Sequence, residues 1–197
     1  TDADLDWVPK TRYPVMREYL PTRGARGLEM MRRTATVQAN YDFSSEADAI
    51  KKMQVSLALS PIAQAIFAAS PFKERQLTEY NSWRAHVWLD VDPDRTGLLP
   101  TLWKPDASFG DYVRWALKIP MFVVKRGERF LRATHLTFEQ FWRDGLEAER
   151  ATIADWETHL NTLFPEVRLK RTIEVRSVDC VPAKYGNALP ALFAGIL

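Results

Sequence analysis

The chain has 197 residues, 46% hydrophobic and 26% charged, enough to bury one globular core. Its 27 basic and 25 acidic residues leave a formal charge of +2, too even a balance for a nucleic-acid binder or a membrane-surface protein. A single cysteine, Cys180, excludes an internal disulfide and leads to the expectation of a reducing, cytoplasmic setting.

Residues 1–29 are rich in proline and charge and are expected to be irregular, apart from a short helix around "YPVMREYL". Arg23, Arg26, Arg32 and Arg33, with Glu29 among them and no interleaved aromatic, read as a solvated loop and strand entry, with contact to a phosphate as the secondary alternative. "RRTATVQANYDF" (32–43) reads as a strand whose side chains alternate. Ala35, Val37, Ala39, Tyr41 and Phe43 share one face. Thr34, Thr36, Gln38, Asn40 and Asp42 share the other. Ser45 with Asp48 starts a helix by a capping-box pattern, continued by Ile50, Met53 and Leu57. Ser60-Pro61 is expected to end it and open a second helix through "IAQAIFAAS". That region, 55–69, is the most apolar, and Ser60, Pro61 and Gln64 keep it from resembling a membrane span.

"NSWRAHVWLD" (81–90) is expected to be a second strand with Arg84, His86, Trp88 and Asp90 on one face. Ser108 with Asp111, Thr137 with Gln140, and Thr152 with Asp155 each open a further helix. "MFVVKRGERFLRA" suggests a hairpin turning at Arg126-Gly127, and "LKRTIEVRSVD" a last strand with Glu174 and Arg176 on one face. "LPALFAGIL" begins a final helix. Elements alternate without a βαβ rhythm, so the fold class expected is α+β, an antiparallel sheet with packed helices. The chain opens on Thr and stops in an apolar segment, which suggests an internal piece of a longer domain.

Three strands thus present hydrogen-bonding and charged groups from faces backed by apolar ones. Solvation explains one such face; three could ring a concave site for an anion and a metal. Glu174 could give Mg²⁺ an oxygen ligand while Arg176 holds a phosphoryl group in a fork. The alternative is a surface ion pair worth ~0–1 kcal/mol. His86 lacks a second His or Cys at metal spacing, and Cys180 reads as structural. No phosphate-cradling glycine loop, nucleophile triad or zinc motif is present.

"MMRRTATVQANYDFSSEADAIKKMQVSLALSPIAQAIFAASPF", "SWRAHVWLDVDPDRTGLLP" and "LNTLFPEVRLKRTIEVRSVD" together resemble the core of plant and bacterial glutamate–cysteine ligases. The resemblance runs from "PKTRYPVMREYLP" to "ALPALFAGIL" and implies that residues 1–197 are part of one catalytic domain whose N-terminal part and C-terminal end lie elsewhere. It implies a glutamine synthetase-like fold, in which a curved antiparallel sheet forms a funnel, here incomplete. The implied activity joins the γ-carboxylate of glutamate to the amine of cysteine through γ-glutamyl phosphate, with ATP as co-substrate and Mg²⁺ as cofactor, the first step of glutathione synthesis. Glutamate, cysteine and ATP are the expected partners; nucleic acid and membrane are not.

By the same resemblance Glu174 matches a magnesium-binding glutamate and Arg176 the arginine that stabilises the transferring phosphoryl group. Gln38 falls at a metal-side position, with Asn40 beside it among the substrate contacts. Arg12 and Arg84 match arginines that hold glutamate. Phe122 stands where plant enzymes usually line the cysteine side with Tyr. Asn187 replaces a redox cysteine, so thiol–disulfide control of the plant kind is not expected. Two alternatives stay open: a related carboxylate–amine ligase with another amine acceptor, and a non-catalytic binding protein of the same fold.

Overall fold

The structure, a computed structural model, describes residues 5–197; the first four residues of the segment expected to be irregular lie outside it. Its centre is an antiparallel three-stranded sheet of β1 (Ala39–Tyr41), β8 (Val167–Leu169) and β9 (Ile173–Val175), with β9 in the middle. Register fixes what each face carries. Tyr41, Ile173 and Leu169 stand in one cross-strand row, and Ala39, Val175 and Val167 in another. Both rows point to the same side, because rows two residues apart along a strand share a face.

That apolar side packs on α3 (Glu46–Ile66) and α8 (Ala188–Ile196). Val167, Leu169 and Ile173 join Ala49, Ile50, Met53 and Leu57 in one buried cluster. Val175 joins Ala63, Phe67, Leu189 and Phe193 in a second. The row between, Asn40, Glu174 and Arg168, faces the other way. The two faces read from "RRTATVQANYDF" are therefore real, although the strand proper is short. Residues 32 and 33 end a helix, α2 (Gly27–Arg33), and the chain then runs beside 178–180 through single bonds such as Cys180 N–H to the Ala35 carbonyl, 3.2 Å.

Around this centre lie α1 (Tyr13–Tyr19), α4 (Trp83–Trp88), α5 (Phe109–Leu117), α6 (Phe138–Asp144) and α7 (Ile153–Leu160). Short pairs fill the gaps: antiparallel β2 (Phe72–Lys73) with β3 (Gln76–Leu77), parallel β4 (Thr96–Gly97) with β7 (Phe164–Pro165), and the antiparallel hairpin β5 (Val123–Arg126) with β6 (Arg129–Arg132). The architecture is mixed helix and strand, with several small sheets mostly antiparallel and helices packed on them, as expected.

Helix starts follow their predicted chemistry. Ser108 with Asp111, Thr137 with Gln140 and Thr152 with Asp155 form reciprocal capping boxes. At α3, Ser45 accepts from Asp48 N–H, while the Asp48 carboxylate turns to Ser44 instead.

Three expectations are corrected. The segment 81–90 is not a strand: α4 is capped by Ser82, whose side chain accepts from Ala85 N–H at 2.9 Å. Arg84, Val87 and Val91 are buried at helical spacing, so the helical period wins over the β-rich composition. His86 stacks on Tyr80 with ring centroids 4.0 Å apart. Next, α3 does not stop at Ser60-Pro61. The Ser60 hydroxyl donates back to the Ser56 carbonyl at 2.9 Å rather than capping a new helix, and Pro61 sits inside 21 continuous residues. Third, 169–179 is not one strand: Lys170–Thr172 is the turn of the β8–β9 hairpin. Cys180, read as structural, is exposed.

Candidate functional site

The polar face of the central sheet is built on one carboxylate. Glu174 Oε2 accepts from Arg168 Nε at 2.6 Å, Arg168 Nη2 at 2.5 Å and Arg176 Nη1 at 3.2 Å. Arg168 meets it because the hairpin register sets the two residues opposite each other; Arg176 meets it as the next residue on the same face. The Gln38 amide completes the group: its oxygen accepts from Arg176 Nη1 at 3.3 Å, and the amide orientation that satisfies both neighbours has its nitrogen donate to Glu174 Oε1 at 3.1 Å. Asn40 lies across from Glu174 but is exposed and accepts from Thr172 Oγ1 at 3.1 Å.

Glu174, Arg168 and Arg176 are each at most 7% exposed, so this is a buried ion cluster and not a surface pair. Burial alone would raise the Glu174 pKa, but Arg168, Arg176 and Lys170 outweigh it and hold the carboxyl below its ordinary value. Burial, and then the like charge of Arg168, push Arg176 down to about 10, so it stays cationic at neutral pH.

Beside the cluster opens a cavity of about 340 Å³ lined by both cations and neutral polar groups. Arg12, at the foot of α1, reaches it, as do Arg84 from α4, Arg168 and Arg176 from the sheet, and Gln38. Lys10 adds a fifth positive charge. Arg84 is fixed by its two Nη groups, which donate to the carbonyls of Arg176 (2.8 Å) and Ser177 (3.1 Å). The Nε groups of Arg12 and Arg84 are buried without a hydrogen-bond partner. A buried N–H donor left unpaired costs about 1–3 kcal/mol, and two on one cationic cavity are what an anion would satisfy. Glu166 stands close to Arg84 and Arg176, and burial raises its pKa despite them.

Five of the expected site residues thus come together: Arg12, Gln38, Arg84, Glu174 and Arg176. Asn40 sits at the sheet edge, outside the cavity lining. Phe122 is elsewhere. It is 1% exposed, packs edge-on against Tyr19 and lies 4.1 Å beneath the Arg95 guanidinium, in a core cluster with Val87 and Val91. Its position in the chain follows the helical cluster it fills, and it offers no surface to a substrate. Arg168 and Lys10 were not foreseen. Arg168 could have been found by folding "VRLKRTIEV" at its central "KRT", which sets it against Glu174; the continuous-strand reading hides that pairing.

Among the described residues no group of three or more His, Cys, Asp or Glu side chains could hold a metal ion, and no helix is long and apolar enough to cross a membrane.

Known proteins similar to this chain are plant enzymes named as chloroplastic glutamate–cysteine ligases. That of Medicago truncatula is 47% identical over 197 residues, covering 98% of this chain and 39% of the relative. Those of Brassica juncea and Arabidopsis thaliana are 48% and 47% identical, each match covering 98% of this chain and 38% of the relative. The chain therefore spans about two-fifths of the length of the relatives it matches. Their names correct the expectation of a cytoplasmic protein, since the relatives are chloroplastic. One cysteine excludes an internal disulfide, but it does not distinguish one reducing compartment from another. The family model for glutamate-cysteine ligase family 2 matches residues 1–197, and the chain belongs to that family.

Proposed function

We propose that the full-length protein joins the γ-carboxylate of glutamate to the amine of cysteine at the expense of ATP, and that this chain supplies the anion-holding part of the site within a single catalytic domain. The observation that carries the reading is the convergence of Arg12, Arg84, Arg168 and Arg176 on one cavity, with two guanidinium N–H groups buried and unpaired. Family membership supports the same reaction.

The chemistry asks for such a surface. When the γ-carboxylate of glutamate attacks the γ-phosphorus of ATP, two anions are brought together, charge spreads over the phosphoryl oxygens, and the bond to the β–γ bridging oxygen breaks so that ADP leaves with its electron pair. Arg12 and Arg84 hold the glutamate through its carboxylates. Arg176, kept in place by Glu174 and Gln38, faces the phosphoryl group, where a preformed guanidinium stabilises the transition state without reorganising. The γ-glutamyl phosphate so formed is attacked by the cysteine amine at its acyl carbon. The C–O bond to phosphate breaks, phosphate leaves with the electron pair, and the amine loses a proton. No protein nucleophile is needed.

Magnesium is part of the family reading, but the donors of this chain do not by themselves fit it. Mg²⁺ demands near-ideal octahedral oxygen coordination. Glu174 Oε2 is already gripped by two arginines, and Gln38 covers Oε1. Among the described residues no cluster of carboxylates stands ready to take the metal instead.

ADP release by the full-length protein, measured with glutamate and a panel of amino acids, tests the reading. Release that requires both glutamate and cysteine is expected. Release with a different amine would select the related carboxylate–amine ligase, and none with any amine would favour the non-catalytic binding protein.

A further inference from the structure

We propose that Asp179 is a positioning residue that sets the distance between Arg84 and Arg176, and through Arg84 the hold on the acidic substrate. This rests on the reading above. Arg84 and Arg176 belong to different elements, a short helix and a strand, and must be held at a fixed separation to grip one anion.

Asp179 lies three residues beyond Arg176 and is 3% exposed. Its Oδ2 accepts from Ser70 Oγ at 2.7 Å and from Ala69 N–H at 2.8 Å; its Oδ1 accepts from Ser82 Oγ at 2.7 Å. Both serines then act on α4. Ser82 caps it by accepting from Ala85 N–H, and Ser70 Oγ accepts from Arg84 N–H at 3.1 Å. The Ser70 carbonyl takes Trp83 N–H at 2.7 Å. From the other end, Arg84 reaches back with both Nη groups to the carbonyls of Arg176 and Ser177. The circuit closes: Asp179, two serines, the first turn of α4, the Arg84 guanidinium, the Arg176 backbone, and Asp179 again.

The two serine links start from the carboxylate. A carboxylate accepts from both hydroxyls at once and, being ionised, makes these bonds roughly twice as strong as neutral ones. A hydroxyl that donates to it becomes a better acceptor for the backbone N–H behind it. Asparagine keeps the volume but turns one oxygen into a donor, so one serine hydroxyl loses its acceptor.

The test uses the full-length protein with Asp179→Asn, Arg84→Lys and the double variant. Asp179→Asn is expected to raise the KM for glutamate about tenfold with the KM for ATP within about twofold, and to add nothing on top of Arg84→Lys, since residues acting through one another are non-additive. Equal rises in both KM values, or additive effects, would overturn the proposal. If Asp179→Asn does not fold, Ser82→Ala cuts one arm of the circuit and takes its place, with the same outcomes deciding. Should the unsubstituted full-length protein form no γ-glutamylcysteine, the functional reading fails and the network is tested by calorimetry with inorganic pyrophosphate. Weaker binding in Asp179→Asn that vanishes as an effect in the Arg84→Lys background supports it; unchanged binding overturns it.

Discussion

Glu174 balances two buried arginines with a single charge, and that balance decides what its loss would do. Glu174→Gln is nearly isosteric, yet it takes from the buried Arg168 and Arg176 the one carboxylate that both hydrogen-bond. Breaking a buried pair from one side costs about 3–5 kcal/mol. The variant is therefore expected to lose ligase activity and stability together, read as a lower urea midpoint. Lost activity with an unchanged midpoint would mean that the arginines find another partner. His159 gives a second residue-level expectation. It is 2% exposed between Phe138 and Trp156, with Nε2 against the Ala116 carbonyl at 2.9 Å. Burial pushes its pKa down to about 4. A depressed folded pKa means stability that is fully present above the unfolded value, ~6.5, and is lost as pH falls toward 4. The gap amounts to roughly 3 kcal/mol. His159→Phe should flatten the pH dependence of the unfolding midpoint between pH 7 and 4; an unaltered slope would assign that dependence to other groups.

Helix α3 carries a proline that costs it a backbone bond. Pro61 is exposed and lacks the N–H that would reach Leu57, while Leu57 and Ala63 on either side stay buried in the core. An interior proline is ~3 kcal/mol less favourable than alanine in a helix. Pro61→Ala is thus expected to raise the thermal midpoint of the protein, and a fall would show that the packing of Ala63 and Phe67 depends on the proline. The same helix explains what could and could not be read from sequence. Capping residues act within four positions of each other, so Ser108, Thr137 and Thr152 announced their helices correctly. Pro61 and α4 went astray because tertiary burial overrode a local signal: Ser-Pro reads as a start, and Trp, Val and His read as strand. The two faces of 34–42 were legible because alternation survives even where the ladder does not. Arg168 and Asp179 were not, since their meaning lies in partners across a hairpin and across the sheet's far end, at separations of 6 and about 100 residues.

The molecule as a whole distributes its charge unevenly in spite of a net +2. On the surface most arginines are answered locally, as when Arg126 binds both Glu149 and Asp155 and Arg23 meets Asp92 and Asp94. At the cavity the count reverses. Lys10, Arg12, Arg84, Arg168 and Arg176 gather there, and the carboxylates near them are fewer: Glu174, already engaged by two arginines, Asp179, taken up by Ser70 and Ser82, and Glu166. Such a site favours anions for their own charge and has little to offer a cation bound to them. The 197-residue chain, once shown by circular dichroism to be folded, should therefore bind pyrophosphate in a manner that weakens with added salt. Magnesium should not strengthen that binding, because Mg²⁺ on a polyphosphate lowers the charge the arginines recognise and finds no free carboxylate cage among the described residues. No γ-glutamylcysteine should form. Calorimetry with pyrophosphate and ATP, each with and without magnesium, reads all of this in one series. Tight nucleotide binding that appears only with magnesium would show that Glu174 leaves its arginines to take the metal, and would overturn the account of the cavity as an anion site first.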